Sequence, residues 1–237
     1  MLKVGLCGFT MSAGEYFETF PVVEVQQTFY QPPAPRTMLR WREQAPERFE
    51  FTMKAWQLIT HTSSSRTYSR LKMPLTDVER AECGAFRDTP IVRRGYETTV
   101  ECARILHATA ILFQCPASFR STEETVGNMR RFFTTVVRPK GVRFLWEPRG
   151  PWSDELVEAL CAELDLVHAV DPFVRPSLTP ARIYWRLHGT TGSRHVYSDA
   201  ELRQLIDWLP PGGDAYVMFN NLPRVGDART FMKMLRG

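Results

Sequence analysis

The sequence lacks several patterns that would place it in a familiar functional class. No Gly-x-Gly-x-x-Gly motif follows the first apolar segment, so the chain carries no dinucleotide-binding fingerprint. The five cysteines include no Cys-x-x-Cys pair, which argues against a disulfide framework or a zinc site and fits a reducing compartment. No apolar run approaches membrane-spanning length, and the first residues are too short a run for a secretory signal. We therefore expect a cytoplasmic protein that does not enter a membrane.

The net charge is also small. A formal charge of +4 favours an anionic ligand but is too weak to indicate nucleic acid by itself. With 43% hydrophobic and 24% charged residues, the 237-residue chain has an ordinary globular composition. No internal repeat, low-complexity tract or linker divides it, so we expect a single domain over residues 1–237.

Short apolar runs alternate with helical segments along most of the chain. In the clearest unit, an apolar run ends at Glu147, a turn carries Arg149, and Ser153 caps a helix whose first turn is acidic. The strand candidates span residues 2–6, 22–25, 49–54, 110–113, 142–146, 166–170, 182–189 and 215–219. This alternation predicts a parallel sheet, and eight units in a chain of this length favour a closed (β/α)₈ TIM-type barrel over an open doubly wound sheet.

A long basic segment interrupts the alternation after the third strand. Residues 57–94 are predicted to be mostly irregular, with a short helix opening at a Thr76–Glu79 capping box and a longer helix beginning near Glu97. A connection of this length is often a lid or a binding loop, although a solvated surface excursion is an equal alternative. The basic residues are Arg66, Arg70, Lys72, Arg80, Arg87, Arg93 and Arg94.

Polar residues recur with a period of two in the strands. In the strand after residue 182, Tyr184, Arg186 and His188 share one face, and apolar residues share the other. If the apolar face packs on helices, the polar face lines the barrel, where an unpaired charge is costly. We therefore expect Glu147 and Arg186 to point inward and to share one hydrogen-bonded network. Polar residues at the strand tips, where sites form in this fold, are Glu24, Lys54, Gln114, Glu147, Asp171, Arg186, His188 and Asn221.

Six short motifs occur in a fixed order over nearly the whole chain. They are Glu24-x-x-x-Thr28-Phe29-Tyr30, Phe51-x-x-Lys54 with Thr60-His61, Gln114-x-Pro116-x-x-Phe119, Glu147-x-Arg149-x-x-Trp152, Arg186-Leu187-His188-Gly189 and Phe219-Asn220-Asn221. Together they resemble the YecE-like proteins, the seventy-second family of domains of unknown function. The resemblance implies a TIM barrel and leaves the reaction open. Two departures are Gln26, where the family commonly has asparagine, and a shortened loop at residues 11–20.

The first functional hypothesis is an enzyme acting on an anionic small molecule, such as a phosphorylated metabolite, at the barrel mouth. In it, Lys54, Arg149 and Arg186 are permanent or near-permanent cations that hold an oxyanion. The candidate catalytic residues are Glu147, Asp171 and His188, as general base or proton shuttle. The further binding candidates are Gln114, Glu24, Asn221 and His61.

Two other hypotheses stay open. A metal-dependent hydrolase or isomerase would use Glu24, Glu147, Asp171 and His188 as ligands, although nearby cations and the lack of a His-x-His pair argue against it. A non-catalytic module would bind nucleic acid through exposed aromatic residues and the basic segment. The sequence identifies no cofactor and no oligomeric state.

Overall fold

Residues 1–236, which the computed structural model describes, form a closed barrel of eight parallel strands. The strands are β1 (Leu2–Cys7), β2 (Val22–Val25), β3 (Glu50–Lys54), β4 (Ala110–Gln114), β5 (Arg143–Glu147), β6 (Leu166–Val170), β7 (Arg182–Leu187) and β8 (Asp214–Phe219). Each strand pairs with the next in chain order, and β8 pairs with β1. The predicted (β/α)₈ barrel is therefore confirmed.

Helices surround the barrel and cover its outer face. They are α1 (Ala13–Thr19), α2 (Gln27–Tyr30), α3 (Pro35–Gln44), α4 (Gln57–Thr60), α5 (Asp77–Glu82), α6 (Pro90–Leu106), α7 (Glu123–Thr135), α8 (Asp154–Glu163), α9 (Asp199–Asp207) and α10 (Arg224–Met234). Residues 171–181 join β6 to β7 through turns instead of a helix. Within residues 1–236, no helix is long and apolar enough to cross a membrane.

The segment after β3 is more ordered than the sequence predicts. The short helix expected at the Thr76–Glu79 capping box is present as α5. The rest of the prediction for residues 57–94 is wrong, because this region also holds α4 and a 3-10 helix at Arg66–Arg70, and α6 already begins at Pro90. Proline suits the first turn of a helix because it needs no N–H partner there. All four residues of α4 are buried, so the segment starts inside the core. Shortly after β2, residues Gln27–Tyr30 likewise form the short helix α2.

The barrel interior consists of an apolar middle between two polar ends. The middle contains Cys7, Val22, Ala110, Leu112, Leu145, Val167, Ala169, Tyr184, Tyr216 and Met218. At the N-terminal end, Glu50 accepts hydrogen bonds from Lys3 and from the Tyr216 hydroxyl. The polar layer at the C-terminal end is larger, and it holds most of the side chains singled out by the sequence.

Candidate functional site at the barrel mouth

Arg186, on β7, lies at the centre of a buried ionic network. Its Nε and Nη2 donate to the Glu24 carboxylate at 3.0 and 2.8 Å, and its Nη1 donates to Glu147 Oε2 at 2.5 Å. Arg186 is 1% exposed, so its guanidinium joins β7 to β2 and β5 out of contact with solvent. The expectation that Glu147 and Arg186 point inward and share one network is confirmed.

The carboxylates of this network stay ionised at neutral pH. Burial acts to raise the pKa of Glu147, but the attraction of Arg186 and then Arg149 outweighs it, and the pKa falls to about 2. For Glu24, burial is likewise outweighed by Arg186, and its pKa lies below the ordinary value. One buried guanidinium therefore faces two buried carboxylates.

Additional donors hold Glu24 in place. The Tyr184 hydroxyl donates to Glu24 Oε2 at 2.9 Å and lies 2.7 Å from the Thr52 hydroxyl. Gln26 donates from its side-chain amide to Glu24 Oε1. The glutamine that departs from the family pattern thus takes part in the network. With these partners and Arg186, the carboxylate of Glu24 has no capacity left for a ligand.

Lys54 is the last residue of β3, and its side chain is buried, at 4% exposure. Its Nζ donates to Gln114 Oε1 at 2.5 Å and lies 3.8 Å from the centroid of the Phe29 ring. Among the described residues, no carboxylate oxygen lies within 4.0 Å of this nitrogen. Burial, and then the charge of Arg186, lower the pKa of Lys54 to about 7. The expectation of a near-permanent cation is therefore wrong for Lys54, because its burial and the charge of Arg186 outweigh the attraction of Glu24 and Glu147, neither of which is in ion-pair contact with it.

Arg149 connects Glu147 to a histidine at the rim. Its Nε donates to Glu147 Oε1 at 3.0 Å, and its Nη2 lies 2.7 Å from His188 Nε2. Since arginine can only donate, His188 Nε2 accepts, and the neutral ring carries its proton on Nδ1. Asp171 Oδ2 lies 3.5 Å from Nδ1 and accepts the backbone N–H of His188 at 2.8 Å. Asp171 therefore fixes the position of His188.

These groups line an open cleft of about 550 Å³ over the ends of β5, β6 and β7. The Arg149 side chain is 41% exposed and that of His188 is 30% exposed, whereas Glu147 is 5% exposed. Gly150 packs so tightly in the wall that a Cβ there would lie 2.3 Å from the Phe119 carbonyl oxygen. The cleft therefore presents Arg149 and His188 to an incoming molecule and keeps Glu147 behind them.

Two of the predicted site residues lie outside the network. His61 is buried, its Nδ1 lies 2.8 Å from the Thr60 hydroxyl, and burial followed by the charge of Lys54 lowers its pKa to about 3. Asn221 donates to the Asp227 carboxylate at 2.5 Å and to the His195 carbonyl at 2.8 Å, which holds the turn between β8 and α10. Neither side chain lines the cleft.

Sequence inspection missed one contributor to the mouth, Arg175, and gave no specific role to another, Phe29. Phe29 lies directly beneath the Lys54 amine. Arg175 lies on the rim of the cleft and pairs with Asp154 at the start of α8. Phe29 belongs to one of the six motifs. Arg175 occupies the irregular β6–β7 connection, where no periodic pattern could predict which way its side chain points.

The donor geometry does not fit the hypothetical metal centre. Arg186 lies between Glu24 and Glu147 and occupies both carboxylates, while His188 Nε2 faces Arg149. In the part of the chain that the structure describes, no three His, Cys, Asp or Glu side chains are grouped so that they could hold an ion. A metal would have to displace a fully paired guanidinium, so no chemical step is assigned to one.

Comparisons with known proteins agree with this architecture. The family model described as "Protein of unknown function DUF72" matches residues 13–237. A DUF72 family protein from Enterococcus faecalis is 21% identical with a TM-score of 0.67, over 100% of this chain and 97% of that chain. A second one, from Thermotoga maritima, is 18% identical with a TM-score of 0.65 over 100% of both chains.

The barrel is also similar to more distant proteins. A xylose isomerase domain containing protein from Salmonella typhimurium is 12% identical with a TM-score of 0.60, over 98% of this chain and 95% of that chain. The comparison with curated proteins gave no match. At such identities the structural similarity shows the fold and does not extend to chemistry.

Proposed function

The chain belongs to the DUF72 family of proteins of unknown function, and we propose that it is an enzyme acting on an anionic small molecule at the C-terminal mouth of its barrel. One observation carries this proposal. Arg149 is the solvent-exposed cation of the network, and it binds both Glu147 and His188 at the edge of the cleft. Its guanidinium fork suits a carboxylate or a phosphate, including that of a phosphorylated metabolite.

Arg186 has a different role from the one its charge first suggested. All three of its nitrogens already donate to carboxylates, and the side chain is 1% exposed. A substrate anion would have to compete with two buried carboxylates for it. We therefore assign anion binding to Arg149, and to Arg186 the task of keeping Glu147 ionised and oriented.

Binding of an anion to Arg149 would release the groups that this arginine covers. When its fork turns to the ligand, His188 Nε2 loses this 2.7 Å partner and keeps only a longer contact with Arg186 Nη1 at 3.4 Å. His188 Nε2 then becomes available as a proton acceptor, while Asp171 holds the His188 backbone N–H. Glu147 is a weak base because its pKa is about 2, the attraction of Arg186 and Arg149 outweighing the opposing effect of burial. His188 is accordingly the general base of this proposal, Asp171 its positioning residue, and Glu147 the group that orients the substrate.

A thermal-shift screen tests the assignment. Phosphorylated metabolites, 2-hydroxy and 2-oxo acids, divalent ions and short oligonucleotides are screened against the wild type and Arg149→Met. The matched control is Arg130→Met, because Arg130 is also ion-paired and half exposed but lies on α7, away from the mouth. We expect an anionic metabolite to raise the melting temperature of the wild type and of Arg130→Met but not of Arg149→Met.

Other outcomes would favour the alternatives. Stabilisation by divalent ions alone would support the metal-dependent hydrolase or isomerase despite the donor geometry. Stabilisation by oligonucleotides alone, unaffected by Arg149→Met, would support a nucleic-acid-binding module that uses the basic segment. We also propose a cytoplasmic location, on the ground that all five cysteines are buried free thiols.

A further inference from the structure

We propose that Lys54 is a nucleophile that forms an imine with a carbonyl group of the substrate. The substrate class would then be a small anionic aldehyde or ketone, such as a 2-oxo acid or an open-chain sugar phosphate. This inference rests on the proposed function, because the anionic end of the molecule would bind Arg149 while its carbonyl carbon approaches the amine.

The surroundings of Lys54 are unusual for a structural lysine. Its amine has one hydrogen-bond acceptor, the neutral amide oxygen of Gln114, and an aromatic face at 3.8 Å. The other buried cation of the mouth, Arg186, is paired with two carboxylates, whereas Lys54 has none within 4.0 Å among residues 1–236. The attraction of Glu24 and Glu147 does not offset the cost of burying the Lys54 ammonium, so its charge does not stabilise the fold.

Gln114 fixes the direction of the amine. Its Nε2 donates to Glu147 Oε2 at 2.9 Å, so its Oε1 must face Lys54. The Lys54 backbone is anchored as well, because its carbonyl accepts the Thr28 hydroxyl at 2.7 Å. A neutral amine in this position donates one N–H to Gln114 and keeps its lone pair and second N–H for a ligand. The nucleophile is thus oriented before any substrate arrives.

The charge state of the amine suits this role. Burial and the neighbouring Arg186 bring the pKa of Lys54 to about 7, so a large fraction is neutral at physiological pH. Desolvation and a nearby cation are the two means by which lysine nucleophiles are activated. The fraction of Lys54 in the neutral, nucleophilic form rises as the pH increases through 7.

The proposed step balances without an oxidant or a reductant. The lone pair of Nζ attacks the carbonyl carbon, and a carbinolamine forms as one amine proton moves to the oxygen. Loss of water then removes the former carbonyl oxygen together with two hydrogens and leaves a C=N bond. His188, which lines the cleft, is the acid–base group that we assign to these proton transfers.

Borohydride trapping tests the proposal directly. The protein is incubated with pyruvate or with glycolaldehyde phosphate at pH 7, reduced with sodium cyanoborohydride, and analysed by intact mass and peptide mapping. The chain contains five lysines, of which Lys72, Lys140 and Lys233 are exposed and serve as internal competitors. We expect one adduct per chain, on the peptide that contains Lys54.

The variants separate chemistry from structure. Lys54→Met removes the nucleophile, Lys54→Arg keeps a cation that cannot form an imine, and Lys72→Met is the exposed control. Labelling should be lost in the first two variants and unchanged in the third, with all three folded by circular dichroism. Adducts spread over the exposed lysines, labelling that persists in Lys54→Met, or no adduct with either probe would overturn the proposal.

One comparison distinguishes this inference from the proposed function. Lactate has the carboxylate of pyruvate but no ketone, so it reports on anion binding alone. If lactate and pyruvate both stabilise the wild type but not Arg149→Met, and neither pyruvate nor glycolaldehyde phosphate labels Lys54, the imine inference fails and the anion site stands. If Lys54 is labelled equally well in Arg149→Met, imine formation stands and the assignment of the anion to Arg149 fails.

Discussion

Replacing Arg186 by methionine should destabilise the barrel strongly at neutral pH. The change leaves Glu24 and Glu147 buried at 0% and 5% exposure without their common cation. Breaking a buried ion pair by removing one partner costs about 3–5 kcal/mol. Burial raises the pKa of Glu147, but Arg186 first, and then Arg149, His188 and Lys54, lower it from 4.5 to about 2. That shift corresponds to roughly 3–4 kcal/mol at ~1.4 kcal/mol per tenfold change in proton affinity, of which the share due to Arg186 is lost in the variant.

The effect should depend on pH in a defined direction. Because its folded-state pKa is lowered, Glu147 contributes stability that is present above its ordinary value of 4.5 and is lost as the pH falls toward 2. In the variant, burial without Arg186 favours the protonated acid instead. The difference in unfolding free energy between wild type and Arg186→Met should therefore be largest near pH 7 and shrink steadily below pH 5.

Urea denaturation between pH 4 and pH 8 provides the assay, since urea does not screen charges. The matched control is Arg130→Met, which removes a half-exposed ion pair with Glu163 and should cost no more than about 1 kcal/mol. Adding Glu24→Gln and Glu147→Gln to Arg186→Met should recover much of the loss. A loss that is independent of pH, or no loss at pH 7, would refute this account of the network.

Three more outcomes follow from the described contacts. Lys54→Met should raise the melting temperature by roughly 4 °C at pH 6 and by less at pH 10, because the lowered pKa of Lys54 makes its charge unfavourable in the folded state below pH 7. Calorimetry at the two pH values would measure the shifts, and equal shifts would contradict this reasoning. His188→Gln should reduce kcat on any substrate found by about 10²–10⁴ while leaving anion-induced stabilisation intact, and a change confined to KM would argue against a proton-transfer role. Gly84→Ala should destabilise by more than Gly141→Ala in urea melts: both have positive φ, +82° and +78°, but only at Gly84 would a Cβ lie 2.3 Å from the His61 carbonyl carbon. Equal losses would show that backbone strain alone decides the cost.

The sequence predicted the barrel because its periodic signals were strong. Eight apolar runs separated by helical segments, together with the period of two around Arg186, were sufficient to place Glu147 and Arg186 in one buried network. The segment after β3 was predicted less well, because a helix of four residues such as α4 is too short to show a period, whereas α5 could be predicted from its capping box.

The roles of the three cations could not be obtained from residue type. Arg186 has a saturated guanidinium, Arg149 an exposed one, and Lys54 an amine without a counter-ion. These differences depend on distances between side chains that are far apart in the sequence. A strand pattern gives the direction of a side chain, but the ionisation and availability of a charge depend on what other strands place beside it.

The Arg186 network also bears on the order in which the chain folds. Arg186 contacts Glu24 across a separation of 162 residues and Glu147 across 39. The pair with Glu147 spans only β6, whereas the pair with Glu24 depends on the step that brings β1 against β8. We therefore expect the Arg186–Glu24 pair to lose its water at barrel closure, and the pH to act on that stage of folding. Acid should slow refolding by depriving Arg186 of its partners, and hydrogen exchange should find the amides of β2 and β7 protected together and late.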